Sequence, residues 1–357
     1  MSVLSEDYRI DSHKLIYHPD RVACWLRGEN IYPIGVEIAP SGTCNHRCIF
    51  CALDYMEYKP NLLDKDLILA DLKEMHQLGL KSVVYAGEGE PLVNKKTPEI
   101  INDTKRLGLD VAMSTNGVLF TKDVSDECME ALTWIRFSVS AGTSECYQKI
   151  HRGLPGDFER VLENLNHAVE LKRKKNLSTT LGVQMLLIPE NLGEVMELAK
   201  IMKEIGVDYF TVKPYSQHPK SFCTVDTGFD YEKFTYLEQE LNELSSDSYQ
   251  IFFRTKAMNK KKQSKAYSKC LGLPFFTYID ASARVWPCIA FLGDSKLCYG
   301  SLKEKSFVEI WEGKHRADIV EKFNNMDISI CRELCRLDEI NSYLDQLRNP
   351  GEHVNFI

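Results

Sequence analysis

Three cysteines lie within eight residues in the segment TCNHRCIFC, which runs from Thr43 to Cys51. The spacing C-x3-C-x2-C places Cys44, Cys48 and Cys51 close enough to share one metal centre. Each iron of a [4Fe–4S] cluster needs one protein ligand, so three thiolates leave one iron open for a substrate or cofactor. Zinc completed by His46 is an alternative, although zinc-binding cysteine pairs usually sit on two separate short loops. Unreactive buried thiols are the other alternative.

Four further cysteines lie in the C-terminal part of the chain: Cys270, Cys288, Cys331 and Cys335. Cys270 and Cys288 bracket a predicted hairpin, which brings its two ends together. Cys331 and Cys335 are four residues apart, a spacing that predicts one face of a helical turn. Four thiolates fully ligate a [4Fe–4S] cluster, and Cys298 is an alternative ligand for one of the four positions. Zinc held by the same thiolates is the structural alternative.

Six apolar, strand-like runs are expected to position the first cysteine group. They span residues 32–40, 82–87, 110–115, 134–140, 181–188 and 209–215. Helical stretches separate them, and this alternation predicts parallel strands joined by right-handed crossovers. The predicted fold class is α/β, with a partial (β/α)6 TIM-like barrel preferred over a doubly wound sheet. In either fold the site lies at the C-terminal ends of the strands, where the first cysteine group follows the first strand.

The alternation is expected to end after about residue 246, where a different organisation begins. Two strand-like runs, FFTYID and RVWPCIA, are joined by ASA and predict a β-hairpin, which helices follow. We therefore expect an N-terminal extension (1–31), a barrel (32–246) and a small C-terminal α+β domain of hairpin plus helices (247–357).

Composition restricts the classes of protein that remain possible. The net charge is −7, which argues against a surface built mainly for nucleic acid. No apolar run approaches the roughly 20 residues of a membrane span, and the polar N-terminus does not have the pattern of a signal peptide. We therefore expect a cytoplasmic protein, in which the 12 cysteines stay reduced and serve metal or thiol chemistry.

The first cysteine segment resembles the signature of the radical S-adenosylmethionine (SAM) superfamily, C-x3-C-x-aromatic-C, with Phe50 as the aromatic residue. GEGEP (87–91) stands where that family has Gly-Gly-Glu-Pro, with Glu88 at the position of the first glycine. STNG (114–117) and SVSAG (138–142) end the next two strands. The resemblance assigns to SAM binding Phe50, Gly87, Glu88, Gly89, Glu90, Ser114, Asn116, Ser140 and Arg152.

The resemblance also implies roles for some of these residues. Glu90 is expected to accept a hydrogen bond from the amino group of SAM, while Ser140 and Arg152 hold its ribose and its carboxylate. The implied reaction is one-electron cleavage of SAM to methionine and a 5′-deoxyadenosyl radical, which removes a hydrogen atom from the substrate. An electron donor such as a flavodoxin or a ferredoxin is the implied protein partner.

The C-terminal cysteines resemble the auxiliary-cluster domain of the same family in its short form, often called a twitch domain; the longer SPASM form needs more cysteines. Ala283 stands where this domain usually has glycine, and C-x3-C replaces the commoner C-x2-C. The cofactors implied are two [4Fe–4S] clusters and SAM. A fully ligated auxiliary cluster has no iron open to substrate, so we expect it to exchange an electron.

Related enzymes oxidise an aminocyclitol alcohol, so the expected substrate is a small polar metabolite: a sugar, a nucleotide sugar or an aminocyclitol. Maturation or epimerisation of a ribosomally made peptide is the second hypothesis, and a non-catalytic iron–sulfur or zinc protein is the third. Cys223 follows the sixth strand and is a candidate hydrogen donor for an epimerase. Lys213, Tyr215 and His218 cluster at the end of the same strand and are candidate substrate residues.

Overall fold

The computed structural model of this chain describes residues 12–223, 225, 228–261 and 263–356. Its central strands coincide with the six apolar runs: β1 (Gly35–Ile38), β2 (Ser82–Tyr85), β3 (Asp110–Thr115), β4 (Trp134–Ser138), β5 (Thr180–Leu187) and β6 (Tyr209–Pro214). Each pairs in parallel with the next strand along the chain. A doubly wound sheet reverses its strand order at the centre, so this sequential order confirms the predicted partial barrel.

The α-helices of the described residues are α1 (Pro19–Leu26), α2 (Lys65–Gln77), α3 (Thr97–Arg106), α4 (Lys122–Cys128), α5 (Ser144–His151), α6 (Asp157–Lys175), α7 (Val195–Ile205), α8 (Tyr236–Leu244), α9 (Thr255–Lys260), α10 (Phe307–Trp311), α11 (Lys314–Asn324) and α12 (Asp338–Arg348). Helices α2 to α8 of this series connect consecutive parallel strands from β1 to the seventh strand, and the others lie before or after them in the chain. Within the described ranges, no helix has both the length and the apolar character needed to cross a membrane.

The sheet extends beyond the six strands at both edges. A seventh strand, β7 (Gln250–Phe253), pairs in parallel with β6, so the expectation that the alternation ends at about residue 246 is wrong. The run QIFF leads directly into the basic segment RTKAMNK, whose composition favours a loop over a strand. At the other edge, β8 (Phe276–Ile279) pairs in parallel with β1, and β9 (Arg284–Trp286) and β10 (Gly300–Ser301) continue the sheet with antiparallel pairs.

The predicted hairpin is therefore present as β8 and β9, but it is part of the barrel sheet. Both edges of the sheet, β7 and the β8–β10 strands, come from the chain after residue 246. The division into regions 1–31, 32–246 and 247–357 remains a prediction.

The two faces of the barrel strands differ in polarity. On β4, Ile135 and Phe137 are fully buried in the hydrophobic core, whereas Trp134, Arg136 and Ser138 alternate with them and are only partly buried. Because successive side chains of a strand point to opposite faces, the second set lines the inside of the barrel. The barrel interior is therefore polar where it reaches the C-terminal ends of the strands.

Candidate active site

The first cysteine group lies on the loop that follows β1, at the C-terminal edge of the parallel strands. All three thiols are free and partly buried. Burial and the charge of Glu90 raise the pKa of Cys44 to about 12. Burial and the neighbouring thiols Cys44 and Cys51 raise the pKa of Cys48 well above its usual range. Three reduced thiols facing one another fit an iron–sulfur cluster, and ligation there must displace their protons.

A buried histidine, His151, contacts this loop and was not among the predicted site residues. The backbone N–H of Ser140 donates to His151 Nε2 over 3.0 Å, so Nε2 is the acceptor and Nδ1 carries the proton. That Nδ1–H faces Cys48 Sγ at 3.3 Å and can donate to it. Burial and the nearby His46 lower the pKa of His151 to about 3, which keeps the ring neutral. The ring of Phe50, the predicted aromatic residue, packs edge-on at 5.4 Å from His151.

The spacing of the thiols distinguishes a cluster from a single zinc ion. Tetrahedral bonds of about 2.3 Å to zinc require sulfur atoms roughly 3.8 Å apart. Among the described residues, the set of three ligand atoms that lies within 4.8 Å is His46, Cys48 and His151, which contains one thiol. His46 is also engaged elsewhere, since its Nε2 lies 3.3 Å from Asp157 Oδ2. The three thiols of the first cysteine group do not form such a set, so at least two of their sulfur atoms lie more than 4.8 Å apart; this favours a cluster, whose several irons spread their ligands apart.

Glu90 joins the ends of β2 and β3 with its carboxylate. Thr115 Oγ1 donates to it over 2.6 Å, the backbone N–H of Asn116 over 2.8 Å and that of Leu92 over 3.2 Å. These donors fill three of about four acceptor positions on a carboxylate, which leaves one for the predicted bond to SAM. Asn116 reaches the cysteine loop, where its side-chain amide donates to Asn45 Oδ1 over 2.6 Å.

The two glycines of GEGEP are required by close packing. A Cβ atom at Gly87 would lie 2.4 Å from Tyr278 Oη, and the φ of 117° at this residue also favours glycine. A Cβ atom at Gly89 would lie 2.4 Å from the carbonyl oxygens of both Ser41 and Thr43. Gly89 therefore lets this turn lie directly against the backbone that leads into the cysteine loop.

Glu88, another predicted SAM-binding residue, points towards the C-terminal hairpin. The backbone N–H of Ala281, in the β8–β9 turn, donates to Glu88 Oε1 over 3.1 Å. Burial and the charge of Asp280 raise the pKa of Glu88 to about 7. The structure thus gives Glu88 a contact that joins the barrel to the hairpin, which the sequence analysis did not anticipate.

The remaining predicted SAM-binding residues differ in accessibility. Ser140 is buried, and its hydroxyl accepts from the backbone N–H of Leu186, so this side chain ties β4 to β5. Ser114 is partly buried near the end of β3, paired in register with Arg136 of β4. Arg152 is exposed and caps α5 in a left-handed conformation with φ of 51°.

One pocket of ≈ 380 Å³ connects several of these residues at the cysteine loop. It is lined by Arg47, Cys48, Ile49, Asp54, Tyr58, Arg152, Phe222 and Cys223. The Cys223 thiol donates to the carbonyl oxygen of Cys48 over 3.4 Å, and the Cys223 N–H donates to Asp54 Oδ2 over 2.7 Å. Burial and Asp54 raise the pKa of Cys223 to about 11, so its thiol is protonated at neutral pH. The pocket brings together a metal-ligand candidate, a hydrogen-donor candidate and the predicted carboxylate-binding arginine.

The four C-terminal thiols lie close enough to perturb one another. Burial and the charges of Cys335 and Cys331 raise the pKa of Cys270 to about 12. Burial, Cys335 and Cys270 likewise raise the pKa of Cys288. The prediction that Cys331 and Cys335 share a helical turn is wrong, because the backbone is extended at Cys331 and the segment precedes α12 as a loop.

Cys298, the alternative ligand, has other surroundings. Its thiol donates to the carbonyl oxygens of Val285 and Gly300, at 3.6 and 3.5 Å, beside the β9–β10 pair. Burial is the largest cause that raises its pKa, and the charges acting on it come from Arg284 and acidic residues, not from the other cysteines. Ala283 has φ of 64° in the hairpin turn, which explains why glycine is usual at this position.

The three predicted substrate residues share a neighbour that the sequence analysis missed, Arg332. Its charge acts on Lys213, on Tyr215 and on His218. Its Nη2 donates to the carbonyl oxygen of Ser216 over 2.7 Å, between the latter two residues. Tyr215 and His218 are buried, and Lys213 is partly buried. Arg332 follows Cys331 directly, so it lies between the C-terminal thiols and the barrel interior.

Comparison with known families gives two matches along the chain. A model described as the radical SAM superfamily matches residues 38–212, and a model described as an iron–sulfur cluster-binding domain matches residues 270–336. The first range contains the cysteine loop and the strand ends described above. The second contains the four C-terminal thiols and Cys298.

Similar proteins act on different molecules, according to their names. An AdoMet-dependent heme synthase of Methanosarcina barkeri is 26% identical over 291 residues, 75% of this chain and 79% of that protein. A tungsten-containing aldehyde ferredoxin oxidoreductase cofactor-modifying protein of Pyrococcus furiosus is 24% identical over 287 residues, 75% of this chain and 78% of that protein. Streptococcus suis SuiB bound to S-adenosylmethionine superposes with a TM-score of 0.66 at 18% identity, over 86% of this chain and 72% of SuiB. This last similarity shows a shared fold.

Proposed function

The chain belongs to the radical SAM superfamily, and we propose that it is an oxidoreductase that removes a hydrogen atom from a small polar substrate: a sugar, a nucleotide sugar or an aminocyclitol. Its two matched domains imply a [4Fe–4S] cluster with SAM in the barrel and further iron–sulfur ligation in the C-terminal region. When bound, these groups supply the 5′-deoxyadenosyl radical and an acceptor for the electron that leaves the substrate with a proton.

The grouping of the C-terminal thiols is the observation that carries the proposed reaction. One group of partly buried thiols is formed by Cys270, Cys288, Cys331 and Cys335, while Cys298 lies apart. Four thiolates saturate a [4Fe–4S] cluster, which then has no iron for substrate and is suited to electron transfer. A cluster that can accept one electron near the barrel interior supports net oxidation of the substrate.

Residues of the barrel would hold the SAM-binding cluster and SAM itself. Cys44, Cys48 and Cys51 are the proposed ligands of the cluster. Arg152 lines the pocket beside Cys48, and a guanidinium is suited to the SAM carboxylate because it binds carboxylates bidentately. Buried around them, His151 and Phe50 exclude water from one side of the cysteine loop.

Epimerisation is a second candidate function, supported by the position of Cys223. Its protonated thiol lies in the same pocket as Cys48 and Arg152 and could return a hydrogen atom to the opposite face of the substrate. The thiyl radical left on Cys223 would then need one electron and one proton, with a reduced flavodoxin or ferredoxin as the electron source. SuiB, which has been solved with its precursor peptide SuiA, makes a ribosomal peptide the substrate to test for this alternative.

Anaerobic reconstitution followed by reduction with dithionite tests the proposal. We expect about eight irons per chain and release of 5′-deoxyadenosine from SAM. Cys48→Ala should lose 5′-deoxyadenosine formation and about half of the iron, and Cys335→Ala should lose about half of the iron. Cys24→Ala is the matched control. Cys24 lies on α1, where its thiol accepts a hydrogen bond from Arg27, and it belongs to neither group of thiols. A wild-type protein that binds about one zinc and forms no 5′-deoxyadenosine would support the non-catalytic alternative.

Solvent deuterium separates the two candidate reactions. Net oxidation of a secondary alcohol forms a ketone, which carries no hydrogen at the reacting carbon. Epimerisation places deuterium from D2O at that carbon, and Cys223→Ala should abolish this incorporation. Oxidised product formed equally by the wild type and by Cys223→Ala would exclude a role for this thiol.

A further inference from the structure

The inside of the barrel carries a group of cations that the proposed reaction does not yet use. Arg136 lies on β4 and Lys213 on β6, both alternating with fully buried core residues of their strands. The charges of Arg136, Arg332, Arg254 and Arg336 all act on Lys213. Positively charged side chains from separate strands and loops thus lie near one another inside the barrel.

Some of this charge is balanced within the protein. Glu37, on β1, forms an ion pair with Arg336. Arg332 lies near Cys335 and Cys288, so the anionic thiolates of an auxiliary cluster would offset its charge. Arg254 has a further interaction at the end of β7.

Arg136 and Lys213 are balanced less completely, because Glu37 acts on Arg136 but is itself ion-paired with Arg336. Within the described part of the chain, neither forms an ion pair, and the buried Nε of Arg136 has no hydrogen-bond partner. Burial and the surrounding arginines lower the pKa of Lys213 well below its usual range, and burial also lowers the pKa of Arg136. A cationic side chain that is largely removed from water without an ion-pair partner is costly, and such groups are concentrated at functional sites.

The barrel backbone is shaped to bring the Tyr209 ring close to Arg136. Its register partner on β5 is Gly182, and Gly182 in turn pairs with Tyr209 of β6. A Cβ atom at Gly182 would lie 2.0 Å from the Tyr209 ring, so the missing side chain lets this ring lie across β5. Tyr209 and Arg136 interact electrostatically, which places the phenol and the guanidinium near each other.

We propose that Arg136 and Lys213 bind an anionic group of the substrate, a carboxylate or a phosphate, inside the barrel; this inference rests on the proposed function and narrows its substrate class. Lys213 is one residue from the C-terminal end of β6, while the register pairs Arg136 with Gly182 near the start of β5. An anion held between them lies below the rim, so the reacting carbon of the substrate points up towards the cysteine loop. A neutral sugar leaves these cations unpaired, whereas a nucleotide sugar supplies phosphates.

Binding of simple oxyanions to the reconstituted holoenzyme tests this site. Anaerobic titration calorimetry with inorganic phosphate and with succinate separates the two sources of charge. We expect the wild type to bind one of them, and Lys213→Met and Arg136→Gln to bind it at least about tenfold more weakly, as loss of one charged hydrogen-bond partner predicts. Lys213→Arg keeps the cation and should retain binding.

Two controls keep the test specific. Lys203→Met removes a lysine from the exposed face of α7 and should bind the anion like the wild type. Iron content equal to that of the wild type shows that the Lys213→Met and Arg136→Gln chains are folded. The inference is overturned if neither anion binds the wild type, or if both variants bind as tightly as the wild type.

The anion titration and the assay for 5′-deoxyadenosine test separate claims. Wild-type protein that cleaves SAM but binds neither anion refutes the anion site alone. Wild-type protein that binds an anion through Lys213 but forms no 5′-deoxyadenosine refutes the proposed reaction alone.

Discussion

Replacing Gly89 with alanine should displace the cysteine loop. The added Cβ atom would lie 2.4 Å from the carbonyl oxygens of Ser41 and Thr43. Favourable carbon–oxygen contacts begin near 3.3 Å, so each contact is about 0.9 Å too short. Both oxygens belong to the backbone, and no change of rotamer can relieve the overlap.

The cost of this substitution can be approximated from its contacts. Overpacking of this kind costs about 1–3 kcal/mol. The Glu90 N–H donates to the Thr43 carbonyl over 2.9 Å, and loss of this bond adds about 1 kcal/mol. A total of about 3 kcal/mol corresponds to a fall in Tm of roughly 4 °C if all 357 residues unfold together, because the unfolding entropy is about 2.1 cal/mol/K per residue. Because Thr43 directly precedes Cys44, the iron content should fall as well.

Thermal denaturation and iron content, measured on chains reconstituted together, check this prediction. Gly193→Ala is the control, because its added Cβ atom meets nothing within 4 Å and its backbone does not need glycine. That variant should match the wild type or be slightly more stable. If Gly89→Ala keeps the wild-type Tm and iron content, then the close approach of this turn to the cysteine loop is not what fixes the loop.

Two further outcomes follow from buried titratable groups. His151→Phe removes the N–H that faces Cys48 Sγ, so the reduced cluster loses a hydrogen bond. The midpoint potential of the cluster, measured by electron paramagnetic resonance titration, should therefore fall by roughly tens of millivolts. The control His167→Phe should leave this potential unchanged, and an unchanged potential in His151→Phe would contradict the prediction. Burial raises the pKa of Asp71 to about 6, although the Phe307 N–H donates to its carboxylate. The folded state therefore binds this proton more readily than the unfolded state, and the buried negative charge destabilises the fold more as the pH rises. Asp71→Asn should therefore raise Tm at pH 8, with a gain that shrinks towards pH 5; a gain that is constant with pH would count against it.

The parts of the fold and site that the sequence predicts are those encoded by short spacings. The cysteine triplet, the six strands and the polar strand ends are local patterns, and the parallel order brings successive strand ends to one edge. The family resemblance drawn from them is confirmed by the radical SAM match to residues 38–212. The strand β7 was missed because it leads directly into the basic segment RTKAMNK, whose composition favours a loop.

The missed contacts join residues that are distant in the chain. His151 meets Cys48 across 103 positions, and Arg332 meets Ser216 across 116. Residue type alone does not determine the direction of a side chain. The sequence therefore predicts that Glu88 lies at the end of a strand, but it does not predict the contact between Glu88 and the hairpin. In WIRFS, Arg136 alternates with core residues, a pattern that would have pointed to a charged barrel interior.

Because β8 pairs with β1 along its whole length, the C-terminal region cannot be removed from the barrel without exposing a strand of the sheet. Phe276 to Ile279 stand in register with Gly35 to Ile38, the strand that leads into the first cysteine loop. A shortened chain that ends near residue 246 would leave β1 as a bare edge, open to pairing with other molecules. Exchange of the C-terminal region between relatives should therefore succeed only when the incoming strand complements this edge.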